Sequence, residues 1–126
     1  MKMIIGALAL AFAASPAMAQ APDYSPGQTV FEGWVTIGQN GFQLMASESS
    51  FRRGFTRPCI SGALPRDEQR AAGATIGRQK VRITGTTLAW SDDFPGDRYE
   101  YEGSSIGNGC HADFIILATD IEVIGE

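Results

Sequence analysis

The order of strand-like and helix-like segments constrains the fold of this chain more than any other feature of its sequence. The first such segment, "TVFEGWVTIG", alternates with the period of two that is typical of a strand with one buried face. Its predicted inner face holds Phe31, Val35 and Ile37, and its outer face holds Val30, Glu32, Trp34 and Thr36. Asn40-Gly41 then precedes a second run, "FQLMAS", and this dipeptide tolerates the positive φ angles of a tight hairpin. The first two strands are therefore predicted to be antiparallel neighbours.

The middle of the sequence predicts a third strand followed by the single helix of the chain. Residues 48–57 are polar and are predicted to form a connection, and "PCISGAL" predicts a short strand. The segment "PRDEQRAAG" predicts a helix over 66–72, because Pro65 stands at a favourable early position and acidic residues occupy the first turn. Gly73 is a natural stop for this helix.

Two more strands complete the pattern. In "QKVRITGTTLAW" the apolar residues Val81 and Ile83 point one way and polar residues the other, and Gly85 marks a bend or bulge. A long loop is predicted over 91–109, in which "RYEYE" resembles an extra strand. The last strand is predicted over about 112–124. Its inner face is predicted to hold Thr119, Ile121 and Val123, and its outer face Asp120 and Glu122.

Five strands with one helix between the third and the fourth is the element order of the OB-fold, a small Greek-key barrel. The sequence therefore predicts a mainly β fold, a five-stranded OB-like barrel that forms a single domain over 29–126. The segment before it, 20–28, contains proline and glycine and is predicted to be a flexible leader.

The first 19 residues have the pattern of a secretory signal peptide. Lys2 provides the positively charged n-region, and an apolar h-region follows it. Ala17-Met18-Ala19 is an A-x-A cleavage site. The apolar run is too short to span a bilayer. We therefore expect an exported protein, in a bacterial periplasm or secreted, without a membrane span.

The two cysteines, Cys59 and Cys110, are expected to form a disulfide, because an even number of cysteines in an oxidising compartment pairs in this way. In an OB-fold the third and fifth strands are parallel neighbours. Cys59 opens the third strand and Cys110 precedes the fifth, so the two residues are expected at the same end of adjacent strands, within bridging reach. The predicted topology and the predicted disulfide support each other.

Three segments resemble a known group of proteins. "GFQLMAS", "QKVRITGTTLAW" and "FIILATDIEVIG" look like the second, fourth and fifth strands of the small bacterial OB-fold proteins that are exported to the periplasm. This resemblance implies a binding or stress-related role in the cell envelope, without a catalytic set of residues.

The charge balance disfavours a nucleic-acid partner. The whole chain carries a formal net charge of −4. Removal of the signal peptide takes away Lys2 and leaves nine basic residues against fourteen acidic ones. An acidic surface repels a phosphate backbone.

Three patterns that suggest chemistry have simpler explanations. "GSSIG" matches G-x-S-x-G, but a nucleophile elbow needs a strand–turn–helix in a much larger fold. A hydrolase that uses Ser105, His111 and Asp113 is therefore the weakest alternative.

Two further patterns suggest a metal site. His111 and Asp113 lack further zinc ligands once both thiols form the disulfide. The acidic loop has the oxygen atoms that calcium prefers but not the EF-hand spacing, and it holds Asp92, Asp93, Asp97, Glu100 and Glu102. We predict no catalytic residue, no metal and no cofactor.

The segment "SFRRGFTR" is the best candidate for a binding site. It concentrates arginines and aromatic rings, without an acidic residue, inside an acidic protein. Arginine pairs with carboxylate, phosphate or sulfate, aromatic rings stack on sugars or bases, and OB-folds bind through the region of their second and third strands. The predicted ligand-binding residues are Arg52, Arg53, Arg57, Phe51, Phe55 and Trp34.

Two functions remain open for this segment. It serves either as the site of an exported, non-enzymatic binding module for an anionic ligand, a sugar-like ligand or a protein partner, or as part of a purely structural envelope protein. In the structural alternative, the phenylalanines cap the barrel and the arginines pair with the acidic 92–102 loop.

Overall fold

The chain folds around a closed barrel of five strands in this computed structural model, which describes residues 24–54 and 58–125. The elements in chain order are β1 (Val30–Ile37), β2 (Phe42–Met45), α1 (Glu48–Arg52), β3 (Ile60–Ala63), α2 (Arg66–Thr75), β4 (Gln79–Ala89), a 3₁₀ turn (Pro95–Asp97), β5 (Arg98–Tyr101), β6 (Ser104–Gly107) and β7 (Phe114–Gly125). The predicted signal peptide and the first part of the predicted leader lie outside the described residues. None of the described helices is long and apolar enough to cross a membrane.

The barrel strands follow the order β1-β2-β3-β7-β4, and β4 closes the barrel on β1. The pairing of β3 with β7 is parallel, and every other pairing in the barrel is antiparallel. The hairpin of β1 and β2 joins Ile37 to Phe42 across the predicted Asn40-Gly41 turn. The predicted OB-like barrel, with one short helix between the third and fourth barrel strands, is confirmed.

The core lies inside the barrel and has the alternation that the sequence predicts. Phe31 and Val35 of β1 and Val81 and Ile83 of β4 are fully buried, and Ile37 packs against the same core. Tyr24, in the segment predicted as a leader, is also buried, and its hydroxyl donates to the Glu32 carbonyl at 2.7 Å. Contacts with the core therefore begin before the first strand.

The α2 helix does not stop at Gly73 as predicted, but continues to Thr75. Gly73 lies against the β1–β2 loop, where an added Cβ atom would come within 3.2 Å of the Gly38 carbonyl oxygen. This glycine therefore permits the close packing of helix and loop instead of ending the helix.

The inner face of β7 differs from the prediction because the strand contains a bulge. Thr84 pairs with Asp120 and Gly85 pairs with Ala118, so Thr119 has no partner across the ladder and is exposed. Val123 is also exposed, at 44%, since β7 extends beyond β3, whose pairing with it ends at Leu117. Of the three predicted inner residues, Ile121 alone packs against the core.

The predicted long loop over 91–109 contains an ordered hairpin, β5 and β6, that covers one side of the barrel. Its side chains join a second apolar cluster that consists of Ala63, Leu88, Trp90, Tyr99, Tyr101, Ile106, Ile115 and Leu117. Ser104 donates to the Leu64 carbonyl at 2.6 Å, and Tyr101 donates to the Ala118 carbonyl at 2.8 Å. The sequence "GSSIG" is therefore mostly a strand and not the flexible loop that its composition indicates.

Candidate functional site

The structure brings three of the predicted binding residues together in one cavity. Trp34 on the outer face of β1 and Phe51 and Arg52 of α1 line a cavity of about 300 Å³, which we call the Trp34 cleft. Arg78, the fourth lining residue, was not predicted. Arg53 follows directly as the C-cap of α1. Phe55 and Arg57 lie outside the described residues.

The segment predicted as a polar connection forms a helix because its first turn is capped. The Ser47 hydroxyl accepts a hydrogen bond from the Ser50 amide at 3.2 Å, which satisfies one free donor of the helix start. Arg52 and Glu48, one turn apart, form an ion pair at 2.8 Å. The resulting helix turns Phe51 inward, where 6% of it is exposed, and leaves 68% of the Arg52 side chain exposed.

Two of the lining residues of the Trp34 cleft, Phe51 and Trp34, belong to or pack against an apolar cluster around the disulfide. Cys59 and Cys110 are bonded, as predicted, with their Cα atoms 5.3 Å apart. Both are buried with Met45 and Phe51, and Trp34 packs against this group. The Trp34 indole Nε1 is buried and has no hydrogen-bond acceptor among the described residues. The disulfide is therefore part of the apolar cluster that supports the two aromatic residues of the candidate site.

Two cations contact the aromatic rings of the cleft: Arg78, which lines it, and Lys80, which lies over the Trp34 ring. Arg78 places its guanidinium carbon 4.1 Å from the centre of the Phe51 ring and donates to the Phe51 carbonyl at 2.8 Å. Lys80, which pairs with Trp34 in the β1–β4 ladder, holds its Nζ 5.1 Å from the centre of the indole ring. Both contacts are cation–π interactions. The sequence placed Lys80 on the polar face of its predicted strand and Arg78 in the loop before that strand, so it gave no sign that the two cations contact the rings of Phe51 and Trp34.

The positive charge near the cleft does not continue along β4, because the next cation of that strand, Arg82, is paired with carboxylates. Arg82 bonds to Glu32 at 2.9 Å and to Glu122 at 3.1 Å, and the hydrogen bonds to these carboxylates raise its pKa further above the usual value. By contrast, within the described ranges no carboxylate lies within 4.0 Å of the cationic groups of Arg78 or Lys80. Among the described residues, Arg78 in the cleft and Lys80 over the Trp34 ring therefore have no acidic partner, although the protein as a whole is acidic.

The acidic loop lines a separate cavity of about 650 Å³. Asp92 and Asp97 meet Trp90, His111 and Asp113 there, together with Asn108 and Ala112. The ion pair of Arg52 is with Glu48 in its own helix and not with this loop. In the part of the chain that the structure describes, no group of three or more His, Cys, Asp or Glu side chains is arranged to hold a metal ion.

The serine of "GSSIG" is bonded to an arginine. The Ser105 hydroxyl accepts a hydrogen bond from Arg98 Nε at 2.6 Å, and the Ser105 carbonyl accepts one from Arg98 Nη2 at 2.7 Å. Ser105 and His111 line different cavities. Ser105 therefore lies in the β5–β6 hairpin, where Arg98 binds both its hydroxyl and its carbonyl oxygen.

The Trp34 cleft is thus the place where the predicted aromatic and cationic residues converge. The geometry can hold an anionic group against the guanidinium of Arg78, beside the Trp34 ring and its Lys80 ammonium. No family model matches the chain, and no curated protein gives a significant match to it.

Proposed function

We propose that this protein is an exported, non-enzymatic binding module of the bacterial envelope, and that the Trp34 cleft is its binding site. Its ligand is an anionic molecule, a sugar-like molecule or a protein partner, and not a nucleic acid. The observation that carries the proposal is the convergence of Trp34, Phe51, Arg52 and Arg78 on one cavity.

Physical chemistry favours a ligand here because Arg78 in the cleft and Lys80 over the Trp34 ring are held in place without an acidic partner among the described residues, while Arg52 is paired with Glu48. An arginine whose guanidinium is already oriented loses little conformational entropy when it binds an oxyanion. The surrounding acidic surface repels anions in general, so an anion that binds gains its affinity from this cleft. The signal-peptide pattern of residues 1–19 and the disulfide are both compatible with export.

The test is a binding screen of the chain from residue 20 onward against neutral glycans, acidic glycans and a panel of small anions. The double variant Arg52→Gln, Arg53→Gln should abolish or strongly weaken the interaction that the screen identifies, with the melting temperature nearly unchanged. The matched control is Arg82→Gln, which removes a cation from the same face outside the cleft. Binding that survives in the double variant would show that this segment is not the site.

A purely structural envelope protein is the second candidate, and one observation favours it. Arg78 bonds to the carbonyl of Phe51, and Arg52 bonds to Glu48, so both arginines hold α1 in place. In that case the screen yields no ligand, and the double variant Arg52→Gln, Arg53→Gln lowers the melting temperature instead. The two candidates are therefore separated by which property the arginine variants change.

A further inference from the structure

We infer that the Trp34 cleft selects compact dianions, meaning ligands with two phosphate, sulfate or carboxylate groups a short distance apart, over neutral sugars. This inference rests on the proposed binding function and narrows its ligand class. The observation that carries it is that each aromatic ring of the cleft is already covered by one of the protein's own cations.

Neutral sugars bind aromatic residues by stacking on an open ring face, and the cleft offers little such surface. Only 6% of Phe51 is exposed, and the Arg78 guanidinium lies 4.1 Å above its ring. The Trp34 ring packs against the cluster around the disulfide and has the Lys80 ammonium 5.1 Å from its centre. A sugar that stacked on these rings would have to displace the two cations, whereas an anion can bind to the cations without moving them from the rings.

Arg78 is organised to bind the first anionic group. Its Nη2 donates to the Phe51 carbonyl at 2.8 Å, and its Nη1 lies 3.4 Å from the Thr36 hydroxyl oxygen. A guanidinium has five N–H donors, so these two bonds leave three for a ligand. Because the ring and the carbonyl fix the plane of the guanidinium, its fork is presented in one orientation, which suits the planar or tetrahedral oxygens of an oxyanion.

Lys80 provides the second anionic subsite. It lies two residues after Arg78, and the two side chains contact neighbouring positions of the outer face of β1, Trp34 and Thr36. Arg78 immediately precedes β4 and Lys80 is the second residue of the strand. A step of two extended residues spans about 6.6–6.8 Å between Cα atoms, a spacing that suits two anionic groups in one small molecule. The cavity of about 300 Å³ is at the small end of ligand sites, which favours a compact ligand.

The neutral triad of Arg82, Glu32 and Glu122 limits the cationic region along β4. Arg82 is on the same face as Lys80, but both of its neighbours in the ladder are carboxylates bonded to it. A long polyanion that followed this strand would meet these carboxylates immediately after Lys80. The arrangement therefore favours two anionic groups over an extended series of them.

The experiment is calorimetric titration of the chain from residue 20 onward, at constant ionic strength and pH 7, with five probes. Pyrophosphate and malonate are the probes with two anionic groups, which are the dianions as defined above; phosphate and acetate are their single-group counterparts, and maltose is the neutral sugar. At least one dianion should bind about tenfold or more tightly than its counterpart, and comparison of the two dianions shows which oxyanion is preferred. Arg78→Gln and Lys80→Gln should each weaken that binding by about tenfold, because each removes one charged partner. Arg82→Gln should change it by less than about twofold.

Lys80→Gln keeps the test valid if Arg78→Gln unfolds α1, since the ring that the Lys80 ammonium lies over belongs to Trp34 of β1 and not to α1. Maltose binding as tight as that of the dianions overturns the inference and leaves the binding function standing. Dianions that bind no better than their single-group counterparts also overturn it. If none of the five probes binds and the wider screen finds no ligand, the proposed binding function fails as well.

Discussion

The guanidinium of Arg78 lies 4.1 Å from the centre of the Phe51 ring and, at the same time, donates to the Phe51 backbone carbonyl at 2.8 Å. One arginine, immediately before β4, therefore holds both the side chain and the main chain of Phe51 in the last turn of α1. The contact joins residues 27 positions apart in the chain. It fixes the short helix that a five-residue segment could not maintain alone.

Loss of this contact should destabilise the fold. We expect Arg78→Ala to lower the free energy of unfolding by about 1–3 kcal/mol, because it removes a charge-assisted hydrogen bond and a cation–π contact. Arg78→Lys keeps the positive charge but not the planar guanidinium, and it should lower the free energy of unfolding by less than Arg78→Ala does. Urea unfolding followed by tryptophan fluorescence measures both. Arg52→Ala is the control, with an expected loss below about 0.5 kcal/mol, since its ion pair is exposed. Equal stability of Arg78→Ala and the unsubstituted protein would show that the contact between Arg78 and Phe51 does not stabilise the fold.

Removal of the disulfide should have a larger effect. The bond joins residues 51 positions apart, and closure of a loop of this length stabilises a fold by about 4 kcal/mol in the chain-entropy model. The double variant Cys59→Ala, Cys110→Ala should show this loss in guanidinium unfolding. Unfolding of the unsubstituted protein in excess reductant is the comparison, and it should shift in the same direction. A loss of less than about 1 kcal/mol in both measurements would show that the bond contributes little.

Gln69 is expected to be the most sensitive polar residue of α2. It is fully buried, its Oε1 accepts from the Leu64 amide at 3.0 Å, and its Nε2 donates to the Gly38 carbonyl at 2.8 Å. Gln69→Leu leaves both backbone groups without these partners, at a cost of about 2–4 kcal/mol. Thermal unfolding measures the change, with the exposed Gln39→Leu as control. Similar melting temperatures for the two variants would rule out the bridging role.

Gly85 should tolerate no side chain. An added Cβ atom would collide with the Leu117 carbonyl oxygen and come within 2.7 Å of the Ala118 Cα atom, both in the neighbouring strand at the bulge. Gly85→Ala should therefore lower stability by more than about 2 kcal/mol. Gly77→Ala, at a position with nothing within 4 Å of the added atom, is the matched control and should be nearly neutral. Chemical unfolding of the two variants provides the comparison.

Tyr101 should make the protein more sensitive to alkali. Its burial, and then the charges of Glu102 and Glu68, raise the pKa of its hydroxyl above the usual value of 10.0, so the folded state favours the neutral form. The stability from this preference is fully present below pH 10 and is lost as the pH rises through the raised pKa of the folded state. Tyr101→Phe should cost about 0.5–1.5 kcal/mol at pH 7, because it removes the bond to Ala118.

The same variant should lose less stability than the unsubstituted protein above pH 10, because it has no hydroxyl to ionise there. Unfolding curves collected between pH 7 and pH 11 test this. Parallel alkaline losses in the two proteins would show that Tyr101 is not the group responsible.

Much of the fold follows from local patterns in the sequence. The alternation around Phe31 and Val35, the Asn40-Gly41 turn and the position of the helix identify a five-stranded barrel, because a period of two allows only one face of each strand to be buried. The cysteine positions then identify which strand ends are neighbours, and the structure confirms both.

The departures from prediction have long-range causes. Gly73 is inside α2 because the helix packs closely on a loop more than 30 residues earlier in the chain. Thr119 is exposed because a bulge in the pairing of two distant strands changes which face it occupies. Neither contact leaves a local pattern in the residues around it.

Some features of the candidate site also follow from the local sequence, and others follow only from the tertiary structure. The sequence by itself determined the aromatic and cationic character of "SFRRGFTR", since composition is a local property, and it placed Trp34 on an outer face. Only the tertiary structure decided that Arg78 and Lys80 cover the rings of Phe51 and Trp34 and that Arg82 is neutralised by two carboxylates. The reason is that strand register determines which charges meet, and register depends on how the whole barrel closes.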